Sequence, residues 1–231
     1  MAQTHYVKPG EYLAQIARNY GFVDFHTLWD APENQDLKNK RKNPNILFPG
    51  DKLVIPDKEL GEETRSTEKK HKFELQGEKL LLRIQLLDLK DKPVEGHEGT
   101  LTIEGDSKEF KTGSDGIVEK EISVRDAGGK LLGQAKPEAK NPFQLPLEIP
   151  LKIGRLDPAD EVTGQMARLN NLGYNAGEVP DHKPGDAEAE KLRKSPQFLS
   201  AVEEFQCDHQ LKVDGKCGQH TQDKLVKVHG C

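Results

Sequence analysis

One stretch decides the fold of the first part of the chain: Asn43-Pro44-Asn45-Ile46-Leu47-Phe48-Pro49-Gly50-Asp51-Lys52-Leu53-Val54-Ile55-Pro56. Within it, Pro49-Gly50 is typical of a turn, because proline presets one backbone angle and glycine tolerates a positive one. The apolar residues after this turn predict a short strand over 52–55, which Pro56 ends. The chain therefore enters a strand here from a loop.

Upstream of this stretch, the spacing of apolar residues predicts two helices. The first helix carries Leu13, Ile16, Ala17 and Tyr20 at helical spacing. Gly21 is predicted to cap its C-terminal end. Asp24 is predicted to cap a second helix, in which Phe25, Leu28 and Trp29 point inward. Residues 1–56 thus read as strand, helix, helix, strand.

Period-two alternation dominates residues 73–156 and predicts an antiparallel β-sandwich. The alternating segments are 80–86, 101–103, 118–124 and 145–153. The predicted turns between them include Gly105-Asp106 and Gly128-Gly129. The last segment contains Pro146 and Pro150, which cannot donate hydrogen bonds to a sheet, so we expect this strand at an edge.

Helical spacing returns over residues 157–231 and predicts a small helical bundle. The apolar positions are Val162, Met166, Leu169, Phe198, Ala201, Val202, Phe205, Leu225 and Val228. Gly173 is expected to end the first of these helices and Thr221 to cap the last. Residues 57–72 are densely charged and predict a linker, because they cannot bury enough apolar surface to fold alone. The fold class is therefore a multidomain α+β chain.

Composition excludes several classes of function. The chain has 231 residues, is 34% hydrophobic and 32% charged, and carries a formal net charge of −5. Lys and Arg are dispersed, without the basic stripe that nucleic-acid binding needs, so we expect no nucleic-acid partner. No run approaches the roughly 18 apolar residues of a bilayer span, so we expect no membrane insertion.

The N-terminal motifs resemble the LysM family. They are Tyr6-Val7-Lys8-Pro9-Gly10-Glu11-Tyr12-Leu13, Ile16-Ala17 and the stretch 43–56. The resemblance implies a βααβ module that binds N-acetylglucosamine glycans, such as peptidoglycan, between two loops. Carried over to this chain, the glycan-binding residues are Gly10, Glu11 and Tyr12, facing Asn45, Ile46 and Leu47.

The C-terminal motifs look like the helical peptidoglycan-binding domain that accompanies many wall hydrolases. They are Gln165 to Tyr174, Ala201 to Gln206 and Leu211 to Thr221. The resemblance implies a second wall-binding module over residues 157–231.

The whole arrangement is similar to LysM proteins associated with type VI secretion spike and toxin loci. In that resemblance, Trp29 to Asn34 and His229-Gly230-Cys231 are characteristic segments. The start of the chain, Met1 to Lys8, lacks an apolar core, so we expect no signal peptide and synthesis in the bacterial cytoplasm. Export to the periplasm or outside would then need a dedicated machine.

Catalytic signatures are missing from the sequence. HExxH, GxSxG, Walker and GxGxxG patterns do not occur, so we expect no enzyme activity and no cofactor. Four aromatic residues, Tyr6, Tyr12, Trp29 and Phe48, are candidates for stacking on sugar rings. Trp29 and Phe48 are expected in the core, and Tyr12 is expected to be partly exposed.

The three cysteines leave three alternatives open. A disulfide between Cys207 and Cys217 would stabilise a small core. Free buried thiols are the second alternative. A zinc site made by Cys207, Cys217, His229 and Cys231 is the third, although the spacing lacks CxxC.

Non-catalytic binding of peptidoglycan by two modules is the function that these patterns favour, with avidity from two linked sites. An adaptor or chaperone that binds a type VI secretion toxin or spike protein, without glycan binding, is the first alternative. A wall-cleaving enzyme with unfamiliar acidic residues is the second.

Overall fold

The structure is a computed structural model, and it describes residues 2–58, 69–70, 80–88, 90, 92–123, 126, 128–133 and 147–231. The chain divides into two compact units. The first unit comprises Met1–Ile16, Phe25–Glu62 and Gly154–Cys231, and the second comprises Ala17–Asp24 and Glu63–Ile153. Most of the predicted linker 57–72 lies outside the described residues. The predicted domain boundaries at 56, 72 and 156 stay predictions.

The N-terminal part contains the predicted strands and helices, one 3-10 helix and one further α-helix. Its elements are β1 (Gln3–Tyr6), α1 (Leu13–Asn19), α2 (His26–Trp29), a 3-10 helix (Pro32–Asn34), α3 (Gln35–Arg41) and β2 (Lys52–Ile55). Strands β1 and β2 pair antiparallel, with Gln3 opposite Ile55. Helix α3 was not predicted, because its sequence is almost entirely polar and gives no apolar period.

The ends of the predicted helices differ in how well the sequence located them. Gly21 has a positive φ of 78° and ends the first helix as predicted. Phe25 directly precedes α2 and already has a helical backbone conformation, and its side chain makes no cap. The predicted cap at Asp24, one residue earlier, stays a prediction.

A polar side chain joins the helical part of this region to the small sheet. Asn34 is 1% exposed, and its Nδ2 donates to Leu28 O at 2.8 Å and to Val54 O at 2.7 Å. Its Oδ1 accepts from Val54 N at 2.8 Å, so every polar group of the amide is paired. Trp29 and Phe48 are each 4% exposed, which confirms their predicted places in the core.

The C-terminal part is a four-helix arrangement. Its elements are α4 (Val162–Asn171), α5 (Asp186–Arg193), α6 (Pro196–Asp208) and α7 (Gln219–His229). The predicted apolar positions form one core cluster, in which Val228 is partly buried. Gly173 follows α4 with a positive φ of 92°, as predicted. Helix α5 was missed, because its charged sequence reads as a loop.

Thr221 is not a helix cap, and that prediction is wrong. Helix α7 begins two residues earlier, with Gly218 as the N-cap residue. Thr221 is 5% exposed, and its hydroxyl accepts a hydrogen bond from Gln206 Nε2 at 3.1 Å. The hydroxyl is therefore used in tertiary packing and not at the helix terminus.

The second unit contains antiparallel strands in two sheets. The strands are β3 (Leu80–Gln85), β4 (Glu98–Ile103), β5 (Asp106–Lys111), β6 (Ile117–Ile122), β7 (Gly128–Gly133) and β8 (Leu147–Lys152). One sheet pairs β3 with β6, and the other has the order β5-β4-β7-β8. Strand β8 thus lies at an edge, as Pro150 predicted. Apolar side chains of both sheets share one cluster, while the predicted sandwich geometry stays a prediction.

Gly128-Gly129 was predicted as a turn, and this is wrong because both residues open strand β7. A Cβ atom at Gly129 would lie 2.2 Å from Thr102 O, so glycine permits a close approach of neighbouring strands. None of the helices in the described part of the chain has both the length and the hydropathy of a membrane span.

Candidate functional site

The first loop of the predicted glycan groove contains Gly10, Glu11 and Tyr12. Gly10 has a positive φ of 79°, which glycine adopts without strain. Glu11 Oε2 accepts from Lys8 N at 2.8 Å and lies 2.8 Å from His5 Nε2. Glu11 therefore stabilises the turn, and its Oε2 atom is already engaged by these contacts. Tyr12 is 4% exposed, so the prediction of a partly exposed ring is wrong.

The second loop of the predicted groove contains Asn45, Ile46 and Leu47. The side chain of Asn45 is exposed, whereas Ile46 and Leu47 are buried. Leu13 N donates to Pro44 O at 3.3 Å, which joins the two loops directly. The structure thus brings the two predicted loops together.

A later segment of the same unit lies against the first loop. A Cβ atom on Gly154 would lie 2.5 Å from Tyr12 Cδ1, so the tyrosine ring packs directly on this glycine. Arg155 Nε would lie 3.5 Å from a Cβ atom on Gly10. Arg155 also pairs with Asp181, with 3.2 Å between Nη1 and Oδ1. The side of the groove around Gly10 is therefore covered by this segment.

A buried ion pair supports the loop that carries Phe48. Arg41 donates from Nε and Nη2 to the two carboxylate oxygens of Asp51, at 2.7 and 2.8 Å. The side chains are 2% and 5% exposed. Asp51 Oδ2 also accepts from Phe48 N at 2.9 Å. Although burial opposes ionisation, these hydrogen bonds and the charges of Arg41 and Lys40 lower the pKa of Asp51.

The same arginine extends from the N-terminal part to the C-terminal helices. Arg41 Nη1 lies 3.6 Å from Asp160 Oδ1, just before helix α4. On the other side, Phe48 lies under two cations, with Arg41 Cζ at 5.6 Å and Lys183 Nζ at 4.8 Å from the ring centroid. These contacts form one continuous patch between the two parts.

A cavity of about 470 Å³ adjoins this patch. Its lining includes Phe48 from the N-terminal part and Glu161, Lys183, Asp186 and Arg193 from the C-terminal part. Burial and the neighbouring Asp160 raise the pKa of the Glu161 carboxyl, and Arg41, Lys183 and Arg193 oppose that rise. No sequence pattern predicts this cavity, because the residues that line it are far apart in the chain.

The Asp214-Gly215 turn of the C-terminal part is held by one buried amide. Gln206 is 1% exposed, and its Nε2 donates to Asp214 Oδ1 at 3.1 Å and to Lys216 O at 3.0 Å. Its Oε1 accepts from Asp214 N at 2.9 Å and from Gly215 N at 3.1 Å. This turn is therefore a rigid part of the bundle.

All three cysteines are free thiols in the structure, and Cys207 is exposed. Burial raises the pKa of Cys217 to about 12, which makes it slow to form the thiolate that attacks a disulfide. The predicted Cys207–Cys217 disulfide stays a prediction. Within the described ranges, no three His, Cys, Asp or Glu side chains lie together as a metal site. The zinc alternative with His229 and Cys231 thus finds no assembled ligand set.

Cys231, His229 and Asn171 form a short chain of contacts. Cys231 Sγ lies 3.3 Å from His229 Nδ1, and His229 Nε2 lies 3.0 Å from Asn171 Nδ2. Burial raises the pKa of Cys231 despite the charge of Arg168, and burial lowers the pKa of His229. The thiol is therefore held in its protonated form, whereas a nucleophile needs the thiolate.

Comparison with protein families assigns both ends of the chain. Residues 5–56 match the LysM domain, and residues 160–225 match the putative peptidoglycan binding domain. The chain contains a LysM domain and a peptidoglycan-binding domain. Both are binding domains, and neither match is to a catalytic one. No curated protein and no solved structure matches the chain at a significant level.

Proposed function

We propose that the protein binds peptidoglycan without cleaving it. The observation that carries this proposal is the presence of two wall-binding domains within one compact unit. Their spacing is then set by packing and not by a flexible tether. Two weak sites held at a fixed spacing bind a repeating polymer more tightly than either site alone, provided that the spacing matches the polymer.

The LysM domain contributes a sugar site at its two loops in this proposal. Backbone groups around Gly10 and the exposed amide of Asn45 can pair with the N-acetyl and hydroxyl groups of the glycan. Glu11 fixes the turn, and Tyr12, Ile46 and Leu47 form the apolar floor beneath it. A glycan at this site must displace Arg155 from Gly10, so we expect weak binding of a single sugar.

Retention on purified insoluble peptidoglycan tests the proposal. We expect the full chain to sediment with the wall material and the Asn45→Ala variant to bind roughly two- to tenfold more weakly, as for the loss of a neutral hydrogen bond. Asn39→Ala, at an exposed position of α3, is the matched control and should bind like the unmodified chain. A chain that stays in the supernatant would contradict the proposal.

The absence of cleavage has its own test. We expect no loss of turbidity when the protein is added to a suspension of cell walls. The protonated state of Cys231 supports this expectation, because its burial disfavours the thiolate. A loss of turbidity would support the alternative of a wall-cleaving enzyme, and the acidic residues would be the first candidates for its catalytic groups.

The finer proposal is that the protein is an accessory of a type VI secretion machine, made in the bacterial cytoplasm and exported by that machine. It rests only on the resemblance of segments 29–34 and 229–231, and neither the fold nor the family matches add support. The adaptor alternative is tested with the product of a neighbouring gene. Capture of a toxin or spike protein together with no retention on peptidoglycan would favour the adaptor.

A further inference from the structure

We propose that the cavity between Phe48 and helix α5 binds the peptide stem of peptidoglycan and not its sugar chain. This inference rests on the proposed function and names the part of the polymer that the second site recognises. The cavity lies between the two wall-binding domains, apart from the LysM loops at Gly10 and Asn45.

The first argument is that the cavity is lined by charges of both signs. The acidic groups are Glu161, Asp186 and Glu190, and the basic groups are Lys183 and Arg193. Lys183 lies over the Phe48 ring, and both basic groups act electrostatically on Glu161.

Neighbouring charges on the same part of the surface are paired. Glu190 and Lys194 lie 2.9 Å apart, His182 and Glu188 lie 3.0 Å apart, and Arg155 and Asp181 lie 3.2 Å apart. Glu190 also lines the cavity, so one of the lining carboxylates is already in an ion pair.

The second argument is that the cavity has a firm wall. Phe48 is 4% exposed, its amide is bonded to Asp51, and Lys183 covers its ring. Arg41 donates two hydrogen bonds to the Asp51 carboxylate and so fixes its position. A cavity of about 470 Å³ falls in the range of roughly 300–1,000 Å³ that is usual for ligand pockets. The site is therefore largely formed before a ligand arrives.

The third argument is the match of charges. A peptide stem carries free carboxylates and, where its third residue is a diamino acid, an ammonium group. Lys183 and Arg193 can pair with the carboxylate, and Glu161 with the ammonium group. A neutral acetylated sugar in the same place would remove water from charges of both signs and give them no ionic partner, which is unfavourable.

Glu161 adds a property that a purely structural carboxylate would lack. Burial and Asp160 raise the pKa of this carboxylate, so its ionised form is less favourable than that of a solvated carboxylate. A bound ammonium group would stabilise that ionised form. Glu161→Gln should therefore raise the unfolding temperature of the free protein and at the same time weaken binding.

Calorimetry with the full chain tests the inference. The probe is the disaccharide-peptide released from purified sacculi by a muramidase, and the comparison ligand is the disaccharide of N-acetylglucosamine, which is neutral and carries no peptide. We expect the disaccharide-peptide to bind at least about tenfold more tightly. Arg193→Ala should lose this preference, and Lys191→Ala, an exposed residue on the same helix, should retain it.

The outcomes separate this inference from the proposed function. If the disaccharide-peptide and the neutral disaccharide bind equally, and Arg193→Ala changes neither affinity while the chain still sediments with intact sacculi, the stem site is wrong and wall binding stands. If the chain does not sediment with intact sacculi and binds neither ligand, the proposed function is wrong. If Glu161→Gln raises the unfolding temperature but keeps full affinity for the disaccharide-peptide, the carboxylate acts only structurally and the inference fails.

Discussion

The two loops around Gly10 and Asn45 and the cavity beside Phe48 differ in how their polar groups are used. In the loops, Glu11 is bonded to its own turn, Tyr12 is buried, and Arg155 covers Gly10. In the cavity, charged side chains of both signs line a space of about 470 Å³. The family motif thus marks a place that the rest of the fold partly occupies. The charged cavity carries no motif.

This difference shows that the loops marked by the family motif and the charged cavity lie at different places in one chain. A motif preserves the local turn, because the turn is made by residues close in sequence. Access to that turn depends on where segment 154–155, which is distant in sequence, packs against it. Changes that affect the loops and the cavity separately can therefore test the comparison.

The largest effect is expected from Arg41→Ala, which removes the support shared by both places. Asp51 would stay buried without its partner, at a cost of about 3–5 kcal/mol in the free energy of unfolding. Trp29 is the single tryptophan and is 4% exposed, so its fluorescence during urea denaturation reports on the LysM domain.

Lys40→Ala is the control for this change, because Lys40 contacts the same carboxylate at 3.7 Å but is 59% exposed. Its cost should stay below about 0.5 kcal/mol. Equal effects of the two substitutions would show that the buried pair does not hold the Phe48 loop.

An intermediate effect on the free energy of unfolding is expected from pH, with opposite signs for Asp51 and Glu161. The pKa of Asp51 is lowered from its ordinary value of 3.8, so the stability that it contributes is full above that pH and is lost as the pH falls below it. The pKa of Glu161 is raised from 4.5, so its ionised form reduces stability at neutral pH and this loss disappears in acid.

Urea unfolding between pH 7 and pH 2, followed by circular dichroism, measures both contributions. Asp51→Asn should be less stable than the unmodified chain at neutral pH, and the difference should shrink below pH 3.8. Glu161→Gln should be more stable at neutral pH, and the difference should vanish as the pH falls to 4.5. Differences that do not change with pH would contradict the assigned pKa directions.

The smallest effect is expected from Arg155→Ala, which uncovers Gly10. The pair of Arg155 and Asp181 is exposed, at 45% and 69%, so breaking it costs at most about 1 kcal/mol. Binding of N-acetylglucosamine oligomers should therefore tighten by up to about fivefold, as measured by calorimetry. Weaker binding would mean that Arg155 contacts the glycan itself.

Lys152→Ala is not a suitable control for this test, because Lys152 belongs to strand β8 of the other unit. Lys212→Ala serves better, since Lys212 is 86% exposed and lies in the C-terminal domain. Its affinity for the oligomers should equal that of the unmodified chain.

Sequence patterns predicted the elements whose cause is local. The helices α4 and α6 were found because apolar residues recur on one face and pack into one cluster. The strand β2 was found from a turn followed by apolar residues. Helices α3 and α5 were missed, because each has few apolar residues among many charged ones, although Leu37 is buried and Leu192 packs against the core cluster.

By itself, the sequence determined the family motifs at both ends of the chain, the helices α4 and α6, the strand β2 and the edge position of β8, because these depend on residues within short segments. Only the tertiary structure decided that Arg155 covers Gly10, that Arg41 pairs with Asp51 and approaches Asp160, and that a charged cavity adjoins Phe48. These features join residues far apart in the chain. Their positions depend on how the domains pack, which no local pattern of residues encodes.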